Sequence, residues 1–146
     1  PDSSTASSNT VTILRINAPA NVVKAATISS LPGAQQGAAF SPDGKKVLVI
    51  SILPGPDQLS ILNVVGVGMV TDRGQRVDLL SNTNGFYGVD VIAVAPDGTK
   101  AYVGNAGGGT LTSRIAVIDL TASPPAVRTT ILGPVPISIA FPRKGG

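Results

Sequence analysis

The sequence predicts an all-β chain built from short antiparallel strands, and three observations carry that prediction. First, an apolar run, a Pro-Asp-Gly turn and a second apolar run occur twice, as "AAFSPDGKKVLVIS" at 38–51 and "VIAVAPDGTKAYVGN" at 91–105. Second, no window of a dozen residues holds apolar side chains at i, i+3, i+4 and i+7 without an interrupting Gly, Pro or β-branched run. Third, Gly (17) and Pro (12) make up about a fifth of the 146 residues, as expected for many short elements joined by turns.

Taken in order, the Val/Ile/Thr-rich runs bounded by turn residues predict eleven strands. They are Val11–Asn17 and Val23–Ser29; Gly37–Ser41, Lys46–Ile52, Leu59–Val65 and Arg76–Leu80; Val89–Ala95, Lys100–Asn105, Arg114–Leu120 and Val127–Leu132; and finally Pro136–Phe141. Several do not alternate. "KVLVISI" and "IAVIDL" are apolar almost throughout, so both faces of those strands are covered, whereas a sheet lying on one core shows a polar residue at every second position.

The repeat discriminates between a sandwich and a stack of blades. Pro42–Val49 and Pro96–Val103 align without gaps at an offset of 54 residues, sharing Pro, Asp, Gly, one Lys and the final Val. A degenerate third copy, "ISIAFPRKGG", follows with Pro142 46 residues after Pro96. "TVTILRI", "QLSILNV" and "SRIAVIDL" hold one equivalent place in each unit. A period of about 40 to 50 residues with four strands per unit is that of a β-propeller. With the strands of a blade lettered A to D outward from the axis, the chain reads C-D, A-B-C-D, A-B-C-D, A. That is a partial propeller of about 2.75 four-stranded antiparallel blades. The expected divisions are a polar terminus at 1–9, an incomplete blade at 10–36, blades at 37–87 and 88–133, and the start of another at 134–146.

The order "PDGTKAYVGN", "GGG", "AVIDL" and "ILGPVP" over 91–141 resembles the YVTN-type β-propeller repeat of bacterial and archaeal surface and periplasmic proteins, the lactonase-like seven-bladed fold. The earlier unit departs from that pattern, with "LVIS" and "NVVG" in place of the Tyr-Val-Thr-Asn-like strand and the Val-Ile-Asp strand end. The resemblance implies an extracellular, cell-surface or periplasmic setting. It implies little about chemistry, because this fold hosts binding proteins, scaffolds and enzymes.

Composition narrows the chemistry. There is no Cys and no His, so disulfides, thiolate nucleophiles and the commonest general base and metal ligand are absent. No metal and no cofactor is expected. A net charge of +3 and five aromatic residues give little basis for nucleic-acid binding. No apolar run reaches the roughly 20 residues of a transmembrane helix.

The Asp-Gly pairs at 43–44 and 97–98 are expected to be turn residues, Asp bonding its own backbone and Gly supplying positive φ. Asp119 is expected to fix the following turn in the same way. "GNAGGGT" lacks the Lys-Ser/Thr and helix of a phosphate loop and reads as a connection. Lys45, Lys46, Lys100, Arg143 and Lys144 fall at A–B turns and should share one rim, either as solvated turn charges or as a surface for an acidic partner.

The opposite rim carries the D–A and B–C loops, where function tends to concentrate. Gln35 and Gln36 lie there, and the candidate ligand-binding residues are Asp57, Asn82, Asn84, Phe86, Tyr87, Asp90, Asn105 and Arg114. "SNTNGFYGVD" is the richest loop, read either as a binding element or as a long loop with Phe86 covering the core. The expected function is a non-enzymatic binding or structural module. Its partners are other blades of a parent chain, a second copy or a partner chain, together with a small polar ligand. The alternative is a piece of a lactonase-like or redox propeller enzyme, with Asp57, Asp90 and Arg114 as its polar cluster.

Overall fold

The structure is a computed structural model that describes residues 10–18, 21–53, 57–79, 89–105, 113–133 and 138–142, with backbone alone at 17–18, 89–90, 105 and 113. Among these residues there is no helix. Ten strands run in the order β1 (Val11–Ala18), β2 (Asn21–Ile28), β3 (Ala34–Phe40), β4 (Lys46–Ile52), β5 (Gln58–Gly66), β6 (Met69–Asp78), β7 (Val89–Val94), β8 (Lys100–Asn105), β9 (Ser113–Asp119) and β10 (Ala126–Gly133). All pairings are antiparallel, giving a β1-β2 pair and two four-stranded sheets, β3-β4-β5-β6 and β7-β8-β9-β10. These are the C-D pair and the two A-B-C-D blades expected from the repeat.

The non-alternating strands explain how the blades are held together. On β4, Leu48 and Ile50 point into a core shared with Ala101, Val103, Ala116 and Ile118 of the next blade. Val47 and Val49 point the other way, into a core with Ile28, Val11 and Ile13 of the β1–β2 pair. The partner strand β5 divides identically, Leu59 and Ile61 facing one blade and Leu62 the other, as the Leu48↔Ile61 and Val47↔Leu62 register requires. Burial on both faces leaves Val47, Leu48, Val49 and Ile50 at 2% exposure or less, and buried apolar surface stabilises by about 25 cal/mol per Å².

Two strand expectations need correction. β6 begins at Met69, not Arg76, because Val67-Gly68 makes a tight turn straight out of β5. Gly68 has φ of 71°, and a Cβ there would come within 2.7 Å of the Ala25 Cβ on β2, so the turn fits closely against the neighbouring blade. The register then shifts between Ile61 and Asn63, where Thr71–Gln75 bulges. The second correction is at the C-terminal end: residues 138–142 carry no strand pairing. A strand forms only where a neighbour accepts its backbone hydrogen bonds. Phe141 nonetheless packs on Tyr102 of β8, ring centroids 5.4 Å apart.

The bulge is organised by Asp72. Its carboxylate takes both arms of the Arg76 guanidinium (2.9 and 2.6 Å), the Gly74 amide (2.8 Å) and the Ser30 hydroxyl (3.2 Å), tying β6 to the loop after β2. The Arg76 hydrogen bonds pull the Asp72 pKa down to about 2. A depressed carboxyl stabilises the fold above its ordinary pKa of 3.8 and loses that contribution as pH falls through about 2. Asp72→Asn is therefore expected to be less stable than the parent by about 1 kcal/mol at pH 6, after allowing for partial exposure. The gap should close as pH approaches 2, as checked by paired urea titrations; a gap independent of pH would assign the effect to shape instead of charge.

Candidate functional site

Each blade presents two rims, and local sequence chemistry shapes them differently. At the A–B rim, Asp43 Oδ1 accepts from the Ser41 hydroxyl (2.6 Å) and the Lys45 amide (3.0 Å). Asp97 Oδ1 accepts from the Thr99 amide (2.9 Å) and hydroxyl (2.8 Å). These bonds hold both carboxyls below the ordinary range. The Gly44 and Gly98 amides close the turns onto the Ser41 and Ala95 carbonyls, with φ of 68° and 72°. Blade packing sets the two turns side by side around a cleft of about 180 Å³, with Pro42, Asp43 and Lys46 on one side and Pro96, Asp97 and Gly98 on the other. The aspartates here are turn formers, as their Asp-Gly context implies. Arg143 and Lys144, expected at the same rim, lie outside the described residues.

Asp119 plays the same part at the β9–β10 connection. It accepts from the Thr121 hydroxyl (2.6 Å) and amide (2.8 Å), the Ala122 amide (3.2 Å) and Arg128 Nε (3.1 Å), and the Thr121 bonds hold its carboxyl far below the usual range.

The opposite rim holds those of the candidate ligand-binding residues that are described. Register places Gln35, Ser51 and Gln58 on one rung of the first full blade. It places Val89, Asn105 and Arg114 on the corresponding rung of the second. Asp90 follows Val89 on β7. The strand ends therefore bring Asp57, Asp90, Asn105 and Arg114 to one side of the molecule. Asn82, Asn84, Phe86 and Tyr87, between β6 and β7 in the sequence, lie outside the described residues.

Asp57 turns inward at that rim. It is only 2% exposed, its Oδ1 accepts from the Leu53 amide (3.1 Å), and its backbone carbonyl accepts from the Leu79 amide (2.7 Å). Asp57 Oδ2 is buried without a partner, and burial raises the pKa of the carboxyl. The residue thus ties the end of β4 to the start of β5. Gln58 Nε2 donates to Asp78 Oδ1 (2.8 Å), a rim contact that sequence reasoning missed because it spans two strands. Among the described residues no group of three His, Cys, Asp or Glu side chains is placed to hold a metal.

The chain is similar to the Chaetomium thermophilum β-propeller protein Sqt1, whose structure was solved bound to the N-terminus of the ribosomal protein L10. The two share 26% identity with a TM-score of 0.56, over 86% of this chain and 33% of Sqt1, so the chain spans about a third of that protein's length. A protein of unknown function from Desulfotomaculum acetoxidans matches at 12% identity and a TM-score of 0.45, over 94% of this chain and 54% of its own, too distant to support an argument. No family model matches the chain, and no curated protein matches it by sequence.

The fold is thus a β-propeller segment, while the YVTN-type grouping remains a resemblance of motifs. The extracytoplasmic setting drawn from that resemblance is overturned by the same neighbour. Sqt1 binds a ribosomal protein, and ribosomes work inside cells, so blades of this kind do not place a chain outside the cytoplasm. The physical reason is that the repeated turns encode blade geometry, which is indifferent to compartment.

Proposed function

We propose that this chain is a protein-binding segment of a β-propeller, and that the rim bearing the D–A and B–C loops takes an extended polypeptide segment. The observation that carries the reading is the likeness to Sqt1, a propeller protein seen with the N-terminal segment of another protein. The sequence is compatible with it: Asp90, Asn105 and Arg114 fall at strand ends, and Asn82, Asn84, Phe86 and Tyr87 stand between β6 and β7 in the sequence, a set with amides, opposite charges and two aromatics. That mixture suits peptide backbone and side chains together. The enzymatic reading has less support, since Asp57, one of the three polar residues it relies on, is committed to the Leu53 amide and buried.

Selection of a random linear-peptide library on the immobilised chain tests the proposal. Selected peptides should lose about tenfold or more in affinity with Tyr87→Ala plus Asp90→Ala, as expected for an aromatic anchor beside a charge, while thermal stability stays within a few degrees. Lys45→Ala and Lys100→Ala, on the opposite rim, should leave binding unchanged. Failure to enrich any peptide would overturn the proposal, as would binding that follows the lysines or falls only in step with stability.

A further inference from the structure

From Asn63 to Thr71 the chain reads "NVVGVGMVT", with no ionisable residue and a tight turn at Val67-Gly68. Val64 and Val70 face each other across this hairpin and pack on the core beneath β1–β2. Val65, Val67 and Met69 do not, and they are 51%, 75% and 62% exposed. Their exposure belongs to the tip itself, since β6 has a neighbouring strand on both sides, β2 on one and β10 on the other. Gly68 sits closely against Ala25 of β2, which holds the tip in place. The hairpin is also longer than its counterpart. Lys46↔Asn63 and Lys100↔Asp119 are equivalent rungs of the two blades, yet β9 ends at Asp119 while β5 continues to Gly66, roughly 10 Å at the rise of a strand. Exposed apolar residues are ordinary when scattered singly, but a group of them marks a contact surface.

The root of the tip is basic. The Val64 amide donates to the Lys45 carbonyl (2.8 Å) and Lys46 stands opposite Asn63, so both lysines lie where the hairpin leaves the blade. Lys45 is exposed, as is Arg73 in the β6 bulge. Of the carboxylates nearby, Asp72 is ion-paired with Arg76 (2.6 Å), which leaves Asp43 against Lys45, Lys46 and Arg73. We propose that this tip docks on the surface of an anionic phospholipid bilayer. Val65, Val67 and Met69 enter the boundary between headgroups and acyl chains, while Lys45, Lys46 and Arg73 meet the headgroups. Charge complementarity selects this occupant: an apolar point with cations behind it matches a hydrocarbon layer behind a negative surface. Insertion of so few side chains is marginal by itself, so the cations supply the second attraction that stable attachment requires. The tip lies on the A–B rim, away from the loops of the proposed peptide site, and does not depend on that site.

The test is co-sedimentation of the full chain with vesicles of phosphatidylcholine containing about a third phosphatidylserine, against phosphatidylcholine alone. Binding is expected on the anionic vesicles, weaker by about tenfold or more without phosphatidylserine, and falling as salt rises. Val67→Ser with Met69→Ser should weaken it by about tenfold or more, and so should Lys45→Ala with Arg73→Ala. All four side chains are exposed, so urea midpoints should stay near that of the parent. The chain has no Trp, so Val67→Trp provides a single reporter. Its emission should shift to the blue on anionic vesicles, while that of Gln36→Trp, at the opposite rim, should not. The proposal is overturned if the chain does not bind anionic vesicles, or if the serine pair binds them as well as the parent. It is also overturned if the Gln36→Trp emission shifts instead. A self-associated chain that ignores lipid and is dispersed by the serine pair would overturn it too, a second copy then being what covers the tip.

Discussion

Replacing Gly33 with alanine is expected to cost about 3 kcal/mol or more, enough to lower the melting temperature by roughly 10 °C. Gly33 ends the loop between β2 and β3 with φ of 61°, a region that L side chains avoid. Space is lacking as well: a Cβ there would overlap the Ile52 carbonyl oxygen and stand 2.7 Å from Leu53 Cδ2. The loop cannot retreat easily, because Gln35 Nε2 donates to the Pro32 and Gly33 carbonyls (3.2 and 2.9 Å) and Leu31 is buried. Gly98→Ala provides the control. Its φ of 72° carries the same backbone strain, about 1–2 kcal/mol, but nothing lies within 4 Å of the added methyl. Urea unfolding of the two variants separates conformation from collision. Equal losses would mean that the backbone alone sets the cost and that the contact with Ile52 is relieved freely.

The second large effect concerns neighbours on one strand. Leu48→Ala should cost about 3 kcal/mol and Val49→Ala about 2, both by leaving cavities in cores that relax only partly. Their locations should differ. Leu48 packs with Ala101, Val103 and Ile118, so its truncation should speed hydrogen exchange in β8 and β9. Val49 packs with Ile28, Val11 and Ile13, so its truncation should speed exchange in β1 and β2 while leaving β8 and β9 near the parent rates. If both variants loosened the same strands, the blades would be one cooperative core, and the two-faced reading of β4 would fail.

Where local chemistry decides conformation, the strand pattern was readable directly. Ser41-Pro42-Asp43-Gly44 and Ala95-Pro96-Asp97-Gly98 close their turns with bonds between residues at most a few positions apart. β6 was half hidden for the opposite reason. "GMVTDRG" looks like a loop because of its glycines and Asp72, yet it continues the sheet once β5 offers its edge and Arg76 and Ser30 engage that carboxylate. Residues 138–142 differ the other way, with a strand-like pattern and no strand pairing among the described residues. At the rim, sequence correctly put Asp57 in a loop between strands but missed its inward turn. Its use depends on Leu53, across the loop, and on a burial that composition does not reveal.

By itself, then, the amino-acid sequence determined the all-β class, the repeated hairpin, the four-strand unit and the exclusion of thiol and imidazole chemistry. All of these follow from side-chain periodicity, turn stereochemistry or residue count, which act within a few positions of the chain. Tertiary structure alone decided which face of β4 meets which blade, that Asp72 joins two blades, that Asp57 turns inward to the Leu53 amide, and that Phe40 is left exposed. Each of these is a pairing between segments distant in sequence. Such pairings depend on packing and desolvation in the assembled fold, and no local pattern of residues encodes them.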